Sequence, residues 1–282
     1  MEGILVVNKP AGYTSHDIVS KIRKQLNIKK VGHTGTLDPL ATGVLPILLG
    51  NGTKLSQYLM NHDKEYIATI KLGEKTESGD LEGKVIEQKA VPNFSKEQVQ
   101  EVLANFKGKQ NQIPPMYSAI KVNGKKLYEY ARNGEMVVIE PREIEIYNIE
   151  LVECDSKEIS FKVQCSKGTY IRSLCENIAE KLGTVGTMSA LKRTQVGEFR
   201  IENAISIDDI ENEEVVRQHI ITPEKLFLDK GIMKLTQREL VHFLNGVKLS
   251  KNCEDGLYRI YVDNKFIGIG KVKGNVLKRE YV

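Results

Sequence analysis

The sequence predicts an α+β fold in which helices flank a mixed, mainly antiparallel sheet. Alternating polar and apolar residues predict strands at 65–72, 142–152 and 158–165, each with one covered face. Apolar residues at helical spacing occur in only a few separated segments. Because these helices do not alternate regularly with the strands, the pattern favours an α+β arrangement over a doubly wound parallel sheet.

Three helices are predicted in the larger, N-terminal part of the chain. The first begins near Ser15, which precedes apolar residues at helical spacing. The second begins at Ser95, which has Gln98 three residues later and therefore the pattern of a capping box. The third covers 171–182, with its apolar residues on one face and Gly183 at the position that commonly ends a helix.

The C-terminal part of the chain is predicted to form a separate small module. An acidic stretch at 208–214 holds five acids and no base, and the segment TPEKL at 222–226 follows it, which together indicate a boundary. Strand-like segments follow at 257–262, 266–272 and 276–282. We therefore expect a first domain at 1–225 and a β-rich module at 229–282, which is too small to fold robustly without docking onto the first.

Composition describes a globular protein. Hydrophobic residues make up 40% of the chain and charged residues 28%, and no run of about eighteen apolar residues could span a membrane. No basic region precedes the short apolar run at the N-terminus, so a cytoplasmic location is expected. The four cysteines form no C-x-x-C pair, which indicates neither a zinc site nor a disulfide framework.

Basic residues are concentrated in three parts of the chain, although the net charge is only +4. Segment 21–30 holds five basic residues and no acid. The other two groups are Lys121, Lys125, Lys126 and Arg132, and Lys271, Lys273, Lys278 and Arg279. A solvated charged face explains any one of these clusters, but three together favour an anionic partner.

The segment 31–50, VGHTGTLDPLATGVLPILLG, is the most unusual in the chain and cannot form one helix. Its glycines permit tight turns, and Pro39 keeps the preceding Asp38 out of the helical region. A carboxylate is therefore held on an irregular loop. The structural alternative for an Asp-Pro pair is an Asx turn, in which Asp38 only accepts hydrogen bonds from backbone amides.

His33 lies in the same loop and allows another interpretation. With Gly35 it suggests the phosphate-binding loop of a nucleotidyltransferase, although the second histidine of such a loop is absent and Thr36 stands nearby. The chain contains no Walker P-loop, no G-x-G-x-x-G, no H-E-x-x-H and no G-x-S-x-G. The commonest cofactor and hydrolase chemistries therefore have no support in the sequence.

Five separated motifs resemble the bacterial tRNA pseudouridine-55 synthase (TruB) family, in the same order and with similar spacing. They are NKPAGYTSHDIV (8–19), GHTGTLDPLATGVLPI (32–47), KEYIATIKLG (64–73), IPPMYSAIKVNGKKLYEYAR (113–132) and GTYIRSLCENIAEKLG (168–183), and LKRTQVGEF (191–199) continues the match. The resemblance covers about residues 1–205 and weakens beyond residue 225. It implies the pseudouridine-synthase fold for the first domain and a short, PUA-like RNA-binding module for 229–282.

The resemblance also implies which residues form the site. Asp38 would be the catalytic nucleophile, Tyr66 would stack on the target base and help the proton leave C5, and Arg172 would pair with Asp38. The residues implied to line the nucleotide pocket are Tyr66 again, His33, Tyr170 and Leu191. Without the resemblance, His33 would be interpreted as a surface hydrogen-bonding residue, and Tyr170 and Leu191 as core residues.

The implied function is the isomerisation of uridine to pseudouridine at position 55 in the T-loop of tRNA, with the target base flipped out of its stack. Exchanging a C–N for a C–C glycosidic bond needs no metal and no other cofactor. The expected partner is the T-arm of tRNA, without membrane contact, and a monomer is expected. The alternative is a non-catalytic RNA-binding or RNA-folding module on the same fold, but the presence of Asp38, Tyr66 and Arg172 together favours the enzyme.

Overall fold

The structure, a computed structural model, describes residues 1–282. Its strands are β1 (Gly3–Lys9), β2 (Val31–His33), β3 (Thr42–Leu49), β4 (Lys64–Leu72), β5 (Glu74–Thr76), β6 (Val85–Gln88), β7 (Gly108–Gln112), β8 (Lys121–Val122), β9 (Lys125–Lys126), β10 (Arg142–Cys154), β11 (Glu158–Cys165), β12 (Gly186–Val196), β13 (Phe199–Arg200), β14 (Gly231–Lys234), β15 (Leu249–Ser250), β16 (Gly256–Val262), β17 (Lys265–Lys273) and β18 (Val276–Tyr281). Its α-helices are α1 (Ser15–Gln25), α2 (Ser56–Leu59), α3 (Lys96–Ala104), α4 (Leu127–Arg132), α5 (Ile171–Lys181), α6 (Glu213–His219), α7 (Pro223–Leu226) and α8 (Gln237–Leu244).

A nine-stranded sheet forms the larger part of the molecule and confirms the predicted mixed, mainly antiparallel arrangement. Its order is β1-β3-β12-β4-β11-β10-β7, with β2 also paired to β3 and β13 to β12. All of these pairs are antiparallel except β3 with β12. The strands predicted from alternation are β4, β11 and β10, which lie side by side.

Side-chain caps mark the starts of α1 and α3, and a glycine follows the end of α5. α3 begins after Ser95, which forms the predicted capping box, and α5 ends before Gly183, which has a φ of +85°. α1 begins at Ser15, as predicted, and its cap is Thr14. Ser15 is buried, and its hydroxyl holds the backbone of Leu37. No helix is long and apolar enough to cross a membrane.

Apolar side chains cover both faces of the sheet. α3 and α5 pack against the central strands and bury residues such as Leu103, Phe161 and Ile178. At the β1 edge, Leu5 belongs to a cluster with α1 and α6, whereas Ile4 belongs to a different cluster. Because successive strand residues point to opposite faces, β1 is buried on both sides. The sheet is therefore a rigid base for the loops that follow its strands.

The acidic stretch at 208–214 packs at the β1 edge of the larger sheet. It forms a short 3-10 helix and the start of α6, and Ile210 and Val216 are buried in the core that also contains α1. The chain pairs with β1 both before and after it, through Ile205 and Ile221. The acidic side chains themselves are exposed. A few apolar residues between the acids are therefore enough to anchor this segment to the first part of the chain.

The C-terminal residues form a second sheet of five strands, with the order β14-β16-β17-β18-β15. This confirms that the end of the chain is rich in β-structure. An apolar interface joins it to the first part of the chain, where Leu55 and Phe227 pack against Ile269 and Tyr281. The second sheet is therefore docked onto the first part.

Candidate active site

Asp38 lies on the irregular loop between β2 and β3, as the sequence predicts. The backbone on both sides of it is fixed, because the Leu37 N–H donates to the Ser15 hydroxyl at 2.8 Å and the Gly12 N–H donates to the Pro39 carbonyl at 2.9 Å. The Asp38 carboxylate accepts no backbone amide, so there is no Asx turn, and its side chain is 35% exposed. A carboxylate that is held in place yet open on one side is suited to react with a ligand.

The partner of Asp38 is Arg172, in the first turn of α5. Its Nε lies 3.2 Å from Asp38 Oδ2, and its Nη1 lies 3.5 Å from Oδ2 of Asp80. Nη1 and Nη2 also donate to the carbonyls of Ser78 and Tyr117, at 3.0 and 2.9 Å. Because the guanidinium is fixed by groups from several segments, it also fixes the orientation of the Asp38 carboxylate.

Burial and charge act in opposite directions on Asp38. Desolvation by burial raises the pKa of its carboxyl group above the ordinary aspartate value, Arg172 opposes that rise, and Asp80 adds to it. Because the rise prevails, we expect Asp38 to lose its negative charge on acidification at a higher pH than an exposed aspartate does. Burial, Arg172 and Asp80 together therefore determine the pH range in which Asp38 is charged.

Tyr66 lies on β4 and contributes its ring to an apolar cluster next to the Asp38 loop. The side chains of Leu37, Ala41 and Leu191 belong to the same cluster, and Tyr66 is only 8% exposed. The Thr42 hydroxyl donates to the Leu191 carbonyl at 3.4 Å, which ties β3 to β12. An aromatic ring among aliphatic side chains is suited to stack against a flat base.

Tyr170 is the N-cap residue of α5 and lies two positions before Arg172, so it is not on a strand. The side chain of Gln112 forms two hydrogen bonds with the backbone of Tyr170. The Gln112 side-chain amide donates to the Tyr170 carbonyl at 3.0 Å and accepts from the Tyr170 N–H at 2.8 Å. The half-buried Tyr170 ring is therefore attached to the same helix turn as Arg172.

His33 is placed apart from this group, at the end of β2. Its Nδ1 accepts a hydrogen bond from the Gly35 N–H at 3.4 Å. Burial lowers the pKa of His33, and the charge of Arg193 lowers it further, so the ring is neutral at neutral pH. No hydrogen bond joins it to Asp38 or Arg172. The structure thus groups the other predicted residues around Asp38 and places His33 beside Arg193.

Three buried charged residues near the site are not among the predicted site residues: Asp80, Arg193 and Lys9, which are 3%, 2% and 0% exposed. Arg193 lies two residues after Leu191 on β12, so strand alternation places both on the same face. Lys9 follows Val7 on β1 in the same way. For both residues, the sequence signal was therefore a charged side chain at a strand position that alternation assigns to the buried face. Asp80 lies in a turn, where no such signal exists.

Lys9 fixes the loop between β2 and β3. Its Nζ donates to the carbonyls of Pro10, Tyr13 and Pro39, at 2.9, 2.6 and 3.2 Å. Lys9→Met is expected to lower the free energy of unfolding by about 1.5–3 kcal/mol, because these carbonyls lose a charged donor. Chemical denaturation measures the loss, with Lys29→Met at an exposed lysine as the control. Equal stability of the two variants would contradict this role.

A cleft of about 1010 Å³ lies elsewhere, between the two sheets. Its walls include Lys64 and Glu65 at the start of β4, and Lys225 and Leu257. None of the predicted site residues lines it. The candidate site is therefore defined by its charged groups and apolar wall and not by cavity size. No group of three or more His, Cys, Asp or Glu side chains is arranged to hold a metal ion.

Two family models match consecutive parts of the chain. The model for the TruB family pseudouridylate synthase (N terminal domain) matches residues 23–171, and that for the tRNA pseudouridylate synthase B C-terminal domain matches residues 172–235. The tRNA pseudouridine synthase B of Francisella philomiragia subsp. philomiragia is 45% identical, over 100% of this chain and 95% of that protein. The protein of the same name from Clostridium tetani is 47% identical, over 96% of each chain.

Solved structures of related proteins have the same fold. A Cbf5-Nop10-Gar1 complex contains a chain that is 28% identical, with a TM-score of 0.71 over 95% of this chain and 78% of that chain. An H/ACA RNP bound to a substrate RNA containing 2′-deoxyuridine gives the same TM-score of 0.71 at 26% identity, over 99% and 84%. The fold and these matches define a pseudouridine synthase, which is an isomerase. The chain belongs to the TruB family of pseudouridylate synthases.

Proposed function

We propose that this chain isomerises uridine to pseudouridine at position 55 in the T-loop of tRNA, with Asp38 as the nucleophile. The names of its relatives, tRNA pseudouridine synthase B, support tRNA as the substrate. The observation that carries the mechanism is the Asp38 carboxylate, which is paired with Arg172 at 3.2 Å and partly open to solvent near Tyr66. A carboxylate fixed in this way needs little reorganisation to react.

The target base leaves its stack before it reacts. Extrusion costs a few kcal/mol, and stacking on Tyr66, beside Leu37 and Leu191, offsets part of that cost. Asp38 then attacks the nucleotide or assists the departure of uracil, the base turns, and C5 bonds to the ribose. C5 loses a proton and N1 gains one, so uridine and pseudouridine have the same composition.

Basic and aromatic groups next to the site support contact with the T-arm. The hairpin β8–β9 and α4 place Lys126 and Arg132 each 5.3 Å from the ring of Tyr128. The segment before this hairpin reaches the site, because the Tyr117 carbonyl accepts from Arg172. Cationic side chains bind phosphates, and aromatic rings stack on the splayed bases of RNA loops. One chain supplies the whole proposed site, so we expect the monomer to be active.

Tritium release from C5 of uridine tests this proposal. An unmodified tRNA transcript labelled with tritium at uridine C5 should release the label in step with pseudouridine formation. A matched transcript with cytidine at position 55 should release none. RNA binding without release would favour the non-catalytic module instead. Turnover of ATP in the presence of magnesium would favour the nucleotidyltransferase interpretation of the His33 loop.

We further propose that the C-terminal module, residues 229–282, holds RNA outside the pocket as a PUA-like unit. Lys271 and Lys273 alternate on β17, and Lys278 on β18 lies directly opposite Lys271. All three side chains are exposed, and strand alternation puts them on one face. A face with several lysines close together is suited to bind the phosphates of an RNA backbone.

Replacing Lys271, Lys273 and Lys278 together by Gln should raise KM for tRNA more than it lowers kcat. The dependence of log K on log salt should also become flatter, by about 0.9 for each lost contact to a duplex or about 0.7 for a single strand. Filter binding and single-turnover kinetics across a salt series measure both effects. Substitution is preferable to truncation, because removing the module would expose Leu55 and Phe227.

The control for this prediction is the variant with Gln at Lys96 and Lys157, which are exposed and belong to none of the three basic clusters. It should keep the affinity and the salt slope of the unmodified protein. If the lysine variant of the C-terminal module also keeps both, the module is not an RNA clamp and its role is structural.

A further inference from the structure

Arg193 is a buried cation next to the candidate site and has no role in the chemistry proposed above. It lies on β12 directly opposite Tyr66 of β4, in the antiparallel pairing of these two strands. Residues directly opposite each other have neighbouring side chains on the same face of a sheet. Arg193 is 2% exposed, so its charged group is almost completely removed from water.

The hydrogen bonds of Arg193 leave its charge without an anionic partner. Its Nε donates to the Val44 carbonyl at 2.8 Å, Nη2 to the Gly35 carbonyl at 3.0 Å, and Nη1 to the Thr36 carbonyl at 3.4 Å. Unlike Arg172, it forms no ion pair with a carboxylate. A guanidinium has five N–H donors, so donors remain for another acceptor. A buried charge without a counter-charge is costly, which favours a functional reason for its presence.

The phenol of Tyr66 is the group on which the charge of Arg193 acts. Strand pairing places the two side chains on the same face of the sheet, and Arg193 is the main source of positive charge at the phenol. Burial raises the pKa of the Tyr66 phenol, and Arg193 opposes that rise. A tyrosine that is to accept a proton must carry negative charge on its oxygen, and a cation beside that oxygen stabilises this form.

The backbone of β12 at Arg193 lies close against the start of β3. Gly43 has a φ of +102°, and a Cβ there would lie 2.2 Å from the Arg193 carbonyl oxygen. The Gly35 and Thr36 carbonyls that accept from Arg193 lie just before Asp38 in the chain. One guanidinium therefore connects the loop that carries Asp38 with β12, the strand that pairs with β4 and Tyr66.

We propose that Arg193 is a positioning residue for the loss of the C5 proton, because its buried positive charge lies beside Tyr66 and stabilises the phenolate form of that residue. This inference rests on the proposed function. In the step, the C5–H bond of the rearranged base breaks and its electron pair forms the C5=C6 double bond, while the C6=N1 double bond opens and its electron pair moves to N1. The phenolate oxygen of Tyr66 takes the proton. N1 gains a proton, and Tyr66 releases its own, so that no net charge is produced.

A deuterium isotope effect tests this step apart from the others. Single-turnover kinetics compare tRNA transcripts made with ordinary uridine and with C5-deuterated uridine. Arg193→Gln should slow pseudouridine formation by about 10²-fold or more, the low end of what general acid–base catalysis contributes. It should also show a larger primary isotope effect than the unsubstituted protein, because proton loss becomes rate-limiting. Arg193→Lys keeps a charge and should restore part of the rate.

Two further variants separate this role from a structural one. Tyr66→Phe leaves Arg193 in place but removes the phenol oxygen that would take the proton, so it should raise the isotope effect even if Arg193→Gln fails to fold. Arg200→Gln, at an exposed arginine of β13, should leave the isotope effect unchanged. If Tyr66→Phe, and any folded Arg193→Gln, react slowly with no increase in the isotope effect, the proposal is overturned. Failure of the unsubstituted protein to form pseudouridine would instead overturn the proposed function.

Discussion

Asp38→Asn is expected to reduce pseudouridine formation by more than about 10³-fold, on the order of what removal of a covalent nucleophile costs. Asparagine keeps the shape of the side chain but loses the charge that would attack the nucleotide. The fold should persist, because Leu37 and Pro39 are held by backbone contacts that do not involve the Asp38 carboxylate. Tritium release under single-turnover conditions measures the loss, and filter binding should show nearly unchanged affinity for tRNA.

The matched control is Asp208→Asn, at an exposed aspartate. It makes the same chemical change away from the site and should retain full activity. Near-normal tritium release from Asp38→Asn would sink the nucleophile assignment. A large loss of RNA affinity in that variant would instead indicate that Asp38 serves mainly to bind the substrate.

Much of the fold could be predicted because the relevant signals are local. The alternation of residues in β4, β10 and β11 identified these strands, and Ser95 and Gly183 marked helix ends through backbone hydrogen bonding and a positive φ. Pro39 and its neighbouring glycines placed Asp38 on an irregular loop in the same way. In each case a few adjacent residues determine the conformation.

The environment of Asp38 could not be predicted from such signals. Asp80 and Arg172 are far apart in the sequence, and they approach each other only because the turn after β5 packs against α5. Arg193 meets Tyr66 through strand pairing, which depends on the register of β4 and β12. The resemblance to a family suggested Arg172, but only the packed structure shows that it serves two carboxylates. Long-range packing therefore determines the electrostatics of the site.

Arg172→Gln is expected to have the second-largest effect, because it leaves Asp38 and Asp80 close together without their cation. Removing one partner of a buried ion pair typically costs about 3–5 kcal/mol, and we expect the low end because Asp38 is 35% exposed. Activity should fall by about 10²–10³-fold, as when one preorganised electrostatic group is removed. Thermal denaturation and single-turnover tritium release measure the two losses. Arg172→Lys should recover part of both.

The pH dependence of the single-turnover rate should shift in a defined direction when Arg172 or Asp80 is replaced. Activity requires ionised Asp38, so the rate falls when the pH drops through the pKa of that carboxyl group. Arg172 lowers this pKa and Asp80 raises it. The acid limb of the single-turnover rate profile should therefore move to higher pH in Arg172→Gln and to lower pH in Asp80→Asn, which keeps the oxygen that accepts from Ser78. If both variants keep the acid limb of the unsubstituted protein, Asp38 is not the group whose ionisation controls the reaction.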